Sequence, residues 1–271
     1  SGDDFHFDLG LRSDWFNVVV PSGYWVAAAD GDVRAYGDAG SHGSMAGTGL
    51  LRPVVGIAST PSGNGYWMAA ADGGVFTFGD AQFKGATGGT PMDRPIVGVA
   101  GRAVGQGYWL VANDGGIFAF GDAADLGSMR SRPLNGEMVG IAGTPSGNGY
   151  WMVAADGGIF TFGDAPFKGS TGAQALFKPI VGMAPTPSGQ GYWLVAADGG
   201  IFTFGDAVFS GSMGGRDHPH PFVGMTPTPT GLGYWLVRAD GFVVAFGDAT
   251  YHAPFPSPST AKVGIAARRR S

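Results

Sequence analysis

The chain has 271 residues, with 51 Gly, 18 Pro, no Cys, 19 Phe, 8 Tyr and 7 Trp, and 44% of it is hydrophobic. Such an aromatic load is more core material than a disordered Gly/Pro-rich chain carries, and Gly does not recur at every third position as collagen requires. Without Cys there is no disulfide framework, thiolate zinc site or thiol nucleophile, and 16 Lys plus Arg against 21 acidic residues, a formal charge of −5, offer no basic face for nucleic acid.

Residues 1–13 have no counterpart elsewhere in the chain and read as an N-terminal extension, in which Phe5-His6-Phe7 supplies an outer closing strand. No stretch approaches 18 uninterrupted apolar residues, so no membrane insertion is expected, and no basic region followed by an apolar one marks a signal peptide. Residues 15–20 resemble a degenerate strand. From there the sequence is periodic: Trp25, Trp67, Trp109, Trp151, Trp193 and Trp235 are each 42 residues apart and each follows Gly-Tyr. Five residues after each Trp comes an Asp-Gly pair, at Asp30, Asp72, Asp114, Asp156, Asp198 and Asp240. A second Asp closes a Phe-Gly-Asp or Tyr-Gly-Asp triplet, at Asp38, Asp80, Asp122, Asp164, Asp206 and Asp248.

Within one unit, 192–197 and 201–204 mix aromatic and β-branched residues and are too short for helices, so they read as strands. The Asp-Gly-Gly between them signals a tight two-residue hairpin, because Gly readily takes positive φ. A third strand, such as Pro179–Ala184, precedes each Gly-Tyr-Trp, and a fourth, such as Ala207–Gly211, follows the second Asp. Four short strands with their turns fill 42 residues, and the repetition predicts an all-β, six-bladed β-propeller spanning 14–267, followed by a basic tail at 268–271. The small-residue run Val-Gly-Met-Ala is the natural innermost strand. Ala261–Ala266 also matches this strand, which makes seven candidates for six blades once 15–20 is counted; the C-terminal segment either replaces or supplements the N-terminal one, so that terminal strands close the ring.

A residue present once per blade is most simply a device that every blade needs, and the two Asp sets fit turn and strand-end roles. The competing reading makes Asp80, Asp122, Asp164 and Asp206 carboxylate ligands for calcium, one per blade. His218 and His220, beside Asp217, are candidate metal ligands in a Pro-containing loop. The Trp residues are either inter-blade core or aromatic platforms for sugar rings, with Trp67, Trp109, Trp151, Trp193 and Trp235 as ligand-binding candidates. Arg34, Arg102 and Arg238 break the repeat and are the charged binding candidates, and the loops 40–52, 86–94, 127–137 and 212–220 vary most, as binding loops on a repetitive scaffold do. There is no Gly-x-Ser-x-Gly elbow, His-Glu-x-x-His pair or P-loop, and Glu137 is the single Glu, so catalysis would need carboxylates gathered from several blades.

The run at 191–207, Gly-Tyr-Trp-Leu-Val-Ala-Ala-Asp-Gly-Gly-Ile-Phe-Thr-Phe-Gly-Asp-Ala, nearly unchanged at 149–165, resembles repeats of secreted or wall-associated actinobacterial proteins. More loosely it resembles tachylectin-like propeller lectins. The resemblance implies an extracellular or cell-wall setting and a propeller scaffold more than a ligand. The leading reading is a non-catalytic, monomeric module that binds glycan or a surface protein. The alternatives are a protein-interaction scaffold acting through its loops and a hydrolase assembled from several blades.

Overall fold

A computed structural model of the protein describes residues 23–89, 93–253 and 260–269. The aromatic and β-branched runs form strands joined by glycine-containing turns. In chain order these are β1 (Tyr24–Ala28) and β2 (Val33–Tyr36); β3 (Val54–Ser59), β4 (Gly65–Ala70) and β5 (Val75–Gly79); β6 (Ile96–Gly101), β7 (Tyr108–Ala112) and β8 (Ile117–Phe120). The second half continues with β9 (Met138–Gly143), β10 (Gly149–Ala154) and β11 (Ile159–Gly163); β12 (Ile180–Pro185), β13 (Gly191–Ala196) and β14 (Ile201–Gly205); β15 (Phe222–Pro227), β16 (Tyr234–Arg238) and β17 (Val243–Phe246); and β18 (Lys262–Ala267). They pair into six antiparallel sheets, the blades of a β-propeller, and the inner strands β3, β6, β9, β12, β15 and β18 contact one another around the ring.

The surplus inner-strand candidate is accounted for by closure. The first blade has the order β18-β1-β2, with Trp25 opposite Ala266 and Val26 opposite Ile265, so the C-terminal segment supplies its innermost strand. The competing segment 15–20 and the Phe5-His6-Phe7 extension lie outside the described residues. Arg268 is not part of a loose tail: its backbone N–H donates to Gly23 and its guanidinium reaches Asp38 at 3.0 Å.

Two expectations are corrected. The hairpin turns are longer than two residues: Gly73 N–H returns to Ala70 O at 2.8 Å, and Gly73 takes φ +79° while Asp72 keeps negative φ. This is a three-residue loop ending in a left-handed glycine, with Asp72 Oδ1 accepting the Gly74 N–H at 3.0 Å. Second, the blades have three strands rather than four. Residues 81–87 and their counterparts form no ladder in the described residues, because their backbone groups are taken by side chains. Trp67 Nε1 donates to Gln82 O at 3.0 Å, while the next blade's Tyr108 hydroxyl donates to Gly85 O at 2.6 Å and accepts the Lys84 N–H at 3.1 Å.

Strand alternation sends Trp67 to one face of its sheet and Tyr66 to the other, so every blade boundary receives a Trp from one side and a Tyr from the next. Six apolar clusters result, one between each pair of neighbouring sheets, with Trp–Tyr ring centroids 5.1–5.9 Å apart. Burial pushes the Tyr150 phenol up to about 12, so it remains a neutral donor, and its hydroxyl holds Gly127 O at 2.5 Å. Gly85 illustrates why the connector residue is Gly: its φ is +135°, and a Cβ there would lie 2.6 Å from the Phe120 ring.

The seam between the sixth blade and the first departs from this pattern. Ala253 stands where the other connectors have Gly43, Gly85, Gly127, Gly169 and Gly211, and the buried Tyr24 hydroxyl has no partner among the described residues. Lys262 likewise takes the buried position held by Val54, Ile96, Met138, Ile180 and Phe222 in the other inner strands, with its ammonium 3.3 Å from Thr260 O. Tyr192→Phe, which strips two hydrogen bonds from Lys168 and Gly169, is expected to cost about 1–2 kcal/mol in chemical denaturation. Tyr24→Phe is expected to stay within about 0.5 kcal/mol of the parent, because no bond among the described residues is lost.

Candidate functional site

The second Asp of each repeat works at the end of the blade where the inner strand turns into the middle one. Asp206 Oδ1 accepts from Thr186 Oγ1 at 2.8 Å and Oδ2 from Ser188 Oγ at 2.5 Å. The Thr186 backbone N–H donates to Gly191 O at 2.9 Å, and Ser188 Oγ accepts the Gln190 N–H, so one carboxylate closes the whole turn. Asp80, Asp164 and Asp248 are held the same way, by Thr60 with Ser62, Thr144 with Ser146, and Thr228 with Thr230. In the third blade Arg102 replaces the hydroxyl: it bonds Asp122 at 3.0 Å and, through Nε, reaches the following blade's Gly147 O at 2.8 Å. Arg268 repeats this arrangement in the first blade, between Asp38 and Gly63 O.

These contacts give the four Asp residues of the calcium reading a framework role. Both oxygens of Asp80, Asp164 and Asp206 accept from hydroxyls of their own blade, and Asp122 is ion-paired, so the hard ligands a cation needs are already engaged in structure. His218 and His220 do not join a metal cluster either. The His218 Nε2 is 3.0 Å from Met213 O and its ring meets Phe222 edge-on, while His220 is exposed. Among the described residues no group of three or more His, Asp or Glu is placed to hold a metal ion.

The sugar-platform reading of the repeated Trp residues is corrected on burial. Trp67, Trp109, Trp151, Trp193 and Trp235 are each 0% exposed, and their indole N–H groups bond connector carbonyls 15 residues on. No ring face is left for a sugar. The three Arg candidates are not brought together. Arg102 lies at the Thr/Ser–Asp end of its blade, whereas Arg34 and Arg238 lie at the hairpin-turn end of theirs, bonded to Asp32 at 3.0 Å and Asp240 at 2.5 and 2.9 Å.

The channel at the axis encloses only about 100 Å³ and is lined by small and aliphatic residues of the inner strands, Gly56, Val97, Ile141, Met183, Met225 and Ile265 among them. That is well below the roughly 300–1,000 Å³ of usual small-molecule sites, and among the described residues no titratable group lines it.

The outer wall is different. Phe83, Phe167, Phe209 and Tyr251 are 59%, 59%, 58% and 55% exposed, each at the same repeat position, 16 residues after its Trp. The residue before each ring gives its carbonyl to the blade's Trp. For Phe83, Phe167 and Phe209 the residue after gives its N–H to the next blade's Tyr. The extended backbone is therefore pinned on the inside while the ring projects outward over the blade boundary. Sequence reasoning missed these positions because a lone aromatic in a Gly/Ser/Lys-rich connector looks like part of a fourth strand; its fixed offset from Trp was the available signal.

No family model matches the sequence, and no curated protein does. Among solved structures, the chain is similar to one in a crystal structure of a nidogen/laminin complex, with a TM-score of 0.64 and 12% identity over 91% of this chain and 98% of that one. It is also similar to the β-propeller domain of Cps50 (Swd1) from Myceliophteria thermophila, with a TM-score of 0.57 and 12% identity over 89% of this chain and 85% of that one. At this identity the likeness is one of fold.

Ser188, then Thr186, holds the Asp206 carboxyl below the usual carboxylate range. The stability this adds is fully present above the ordinary value of about 3.9 and is lost as pH falls through the lowered folded value. Side-chain carboxyl NMR is expected to find Asp206 titrating below that value, with Ser188→Ala moving it back upward.

Proposed function

We propose that the chain is a non-catalytic binding module, working outside the cell or at its wall, that holds a polysaccharide on the aromatic rings of its outer wall. The observation that supports this best is the repeated, exposed set Phe83, Phe167, Phe209 and Tyr251. A ring face gives dispersion contact to the C–H face of a sugar, and a ring on a pinned backbone has little freedom left to lose on binding. The rings stand singly among polar groups, such as Lys168 and Gln190, whose side chains bond each other at 3.0 Å beside Phe167. Such surroundings suit a hydroxyl-rich ligand better than a continuous apolar partner. Three of the rings fall on consecutive blades, the fourth, fifth and sixth, so weak equivalent contacts would add along a repetitive polymer.

Catalysis draws no support from the geometry, since the repeated carboxylates are engaged in turns and the axial channel is small and apolar-lined. A binding role is also in keeping with the likeness to a chain of the nidogen/laminin complex. Co-sedimentation with insoluble cell-wall polysaccharide is expected to retain the parent protein. Each of Phe167→Ala, Phe209→Ala and Tyr251→Ala should weaken retention by about 1 kcal/mol, roughly fivefold, and the triple variant should abolish it with an unchanged melting temperature. Retention of the triple variant at the parent level would sink the reading.

A further inference from the structure

The fifth blade carries a pocket of about 240 Å³ at its hairpin-turn end, bounded by the connectors before and after it. Phe177 from the preceding connector and Phe202 of β14 form aromatic walls, and Gly200 and Gly214 leave the space between them open. Asp198, the turn aspartate, lines it and is only 5% exposed. Its two oxygens accept the N–H groups of Gly200 at 2.9 Å and Gly215 at 2.8 Å, which fixes the carboxylate in place.

The internal repeat supplies a template for what this space accepts. Two periods earlier, Gly214, Phe202, Gly200 and Asp198 correspond to Arg130, Phe118, Gly116 and Asp114. In the third blade the Arg130 guanidinium lies 5.3 Å from the Phe118 ring centroid, with Nε 3.7 Å from Asp114 Oδ2. Its nitrogens fall 2.9 and 3.0 Å from where a Cβ on Gly116 would be, so it covers the turn glycine that in the fifth blade lines the open pocket. The sixth blade reaches the same pairing by another route: Arg238 lies 4.7 Å from the Phe242 ring and bonds Asp240. Two blades thus fill an aromatic and aspartate cradle with a guanidinium of their own. In the fifth blade the position of Arg130 is Gly214, as it is Gly88 and Gly172 in the second and fourth, and Ala196 stands where the sixth has Arg238; the fifth alone of these adds Phe177 beside the space.

Charge and shape agree with this template. Asp198 is the one carboxylate in the lining; Lys178 also lines the pocket, with its ammonium bonded to Asp217 at 3.0 Å and 5.4 Å from the Phe177 ring centroid, so a cation already sits at that ring. Phe177 adds a second ring where the third and fourth blades have Asp93 and Asn135, and it is 62% exposed, so it carries no core packing of its own. A planar cation between two aromatic faces, with a carboxylate at its edge, gains from both stacking and charge. We infer that the fifth-blade pocket is a receptor for a guanidinium, the arginine side chain of a partner polypeptide. It lies at the hairpin-turn end of the blade, uses none of the outer-wall rings, and stands independently of the polysaccharide reading.

The test is an NMR titration of the full chain with N-acetyl-arginine amide, beside the citrulline amide, which keeps the shape and lacks the charge, and the lysine amide. Saturable shifts are expected at Gly200, Gly214 and Gly215 with the arginine probe, at least tenfold weaker with the other two. Phe177→Ala should weaken binding severalfold without changing the melting temperature. Arg130→Ala should vacate the third-blade cradle and add a second set of shifts at Gly116. The inference is overturned if the arginine probe gives no saturable shifts, if citrulline or lysine amide binds equally well, or if Phe177→Ala leaves the affinity unchanged.

Discussion

The structure depends on how an outer connector is held at each blade boundary. A three-stranded blade cannot bury both faces alone, and the chain must also cross from the outside of one blade to the inside of the next. Both needs are met by the Tyr-Trp dipeptide. Its Trp fills the boundary on one side and bonds the connector's start, and the next blade's Tyr fills the other and bonds the connector three residues on. Each ring combines large apolar burial with one polar atom that finds a backbone partner. This explains why the connector forms no fourth strand: its hydrogen bonds are satisfied without a ladder.

The same arrangement separates framework from function. With the six repeat Trp residues buried and the second Asp of each blade engaged by a hydroxyl or guanidinium, the residues that repeat most strictly hold the ring together and offer little to a ligand. What remains available are the side chains the framework pins but does not cover, the outer-wall rings, and the places where one blade departs from its neighbours. Arg130, where the second, fourth and fifth blades have glycine, is such a departure, and so is Phe177 beside the fifth-blade pocket. A rigid scaffold with small local differences is a means of presenting distinct contacts without altering the fold.

Closure shows what a ring built from a linear repeat must accommodate. Five boundaries are nearly equivalent, whereas the sixth adjoins the first blade, inside which β18 pairs non-covalently with β1 to close the ring. There Ala253 replaces the connector glycine, Lys262 takes an apolar position, and an Arg268–Asp38 ion pair stands in for the hydroxyl bracket. Arg102 makes the same substitution in the third blade, so the guanidinium bracket is a variant of the framework and not peculiar to the seam.

Read by itself, the sequence determined the blade count, the positions of three strands in each blade and the propeller, because a 42-residue period in Trp, Gly and Asp is a local pattern that repeats in the chain; the fourth strand that it also suggested does not form among the described residues. It also pointed to the C-terminal segment as a closing strand. Tertiary structure alone decided whether a Trp was core or platform and whether an Asp was ligand or bracket, since burial and hydrogen-bond occupancy depend on neighbours in space. It likewise decided that Phe83, Phe167, Phe209 and Tyr251 face outward, and that a glycine at 214 leaves room where an arginine at 130 does not. Periodicity specifies what every blade shares; which surfaces remain open is set by what the adjoining blade and connector cover.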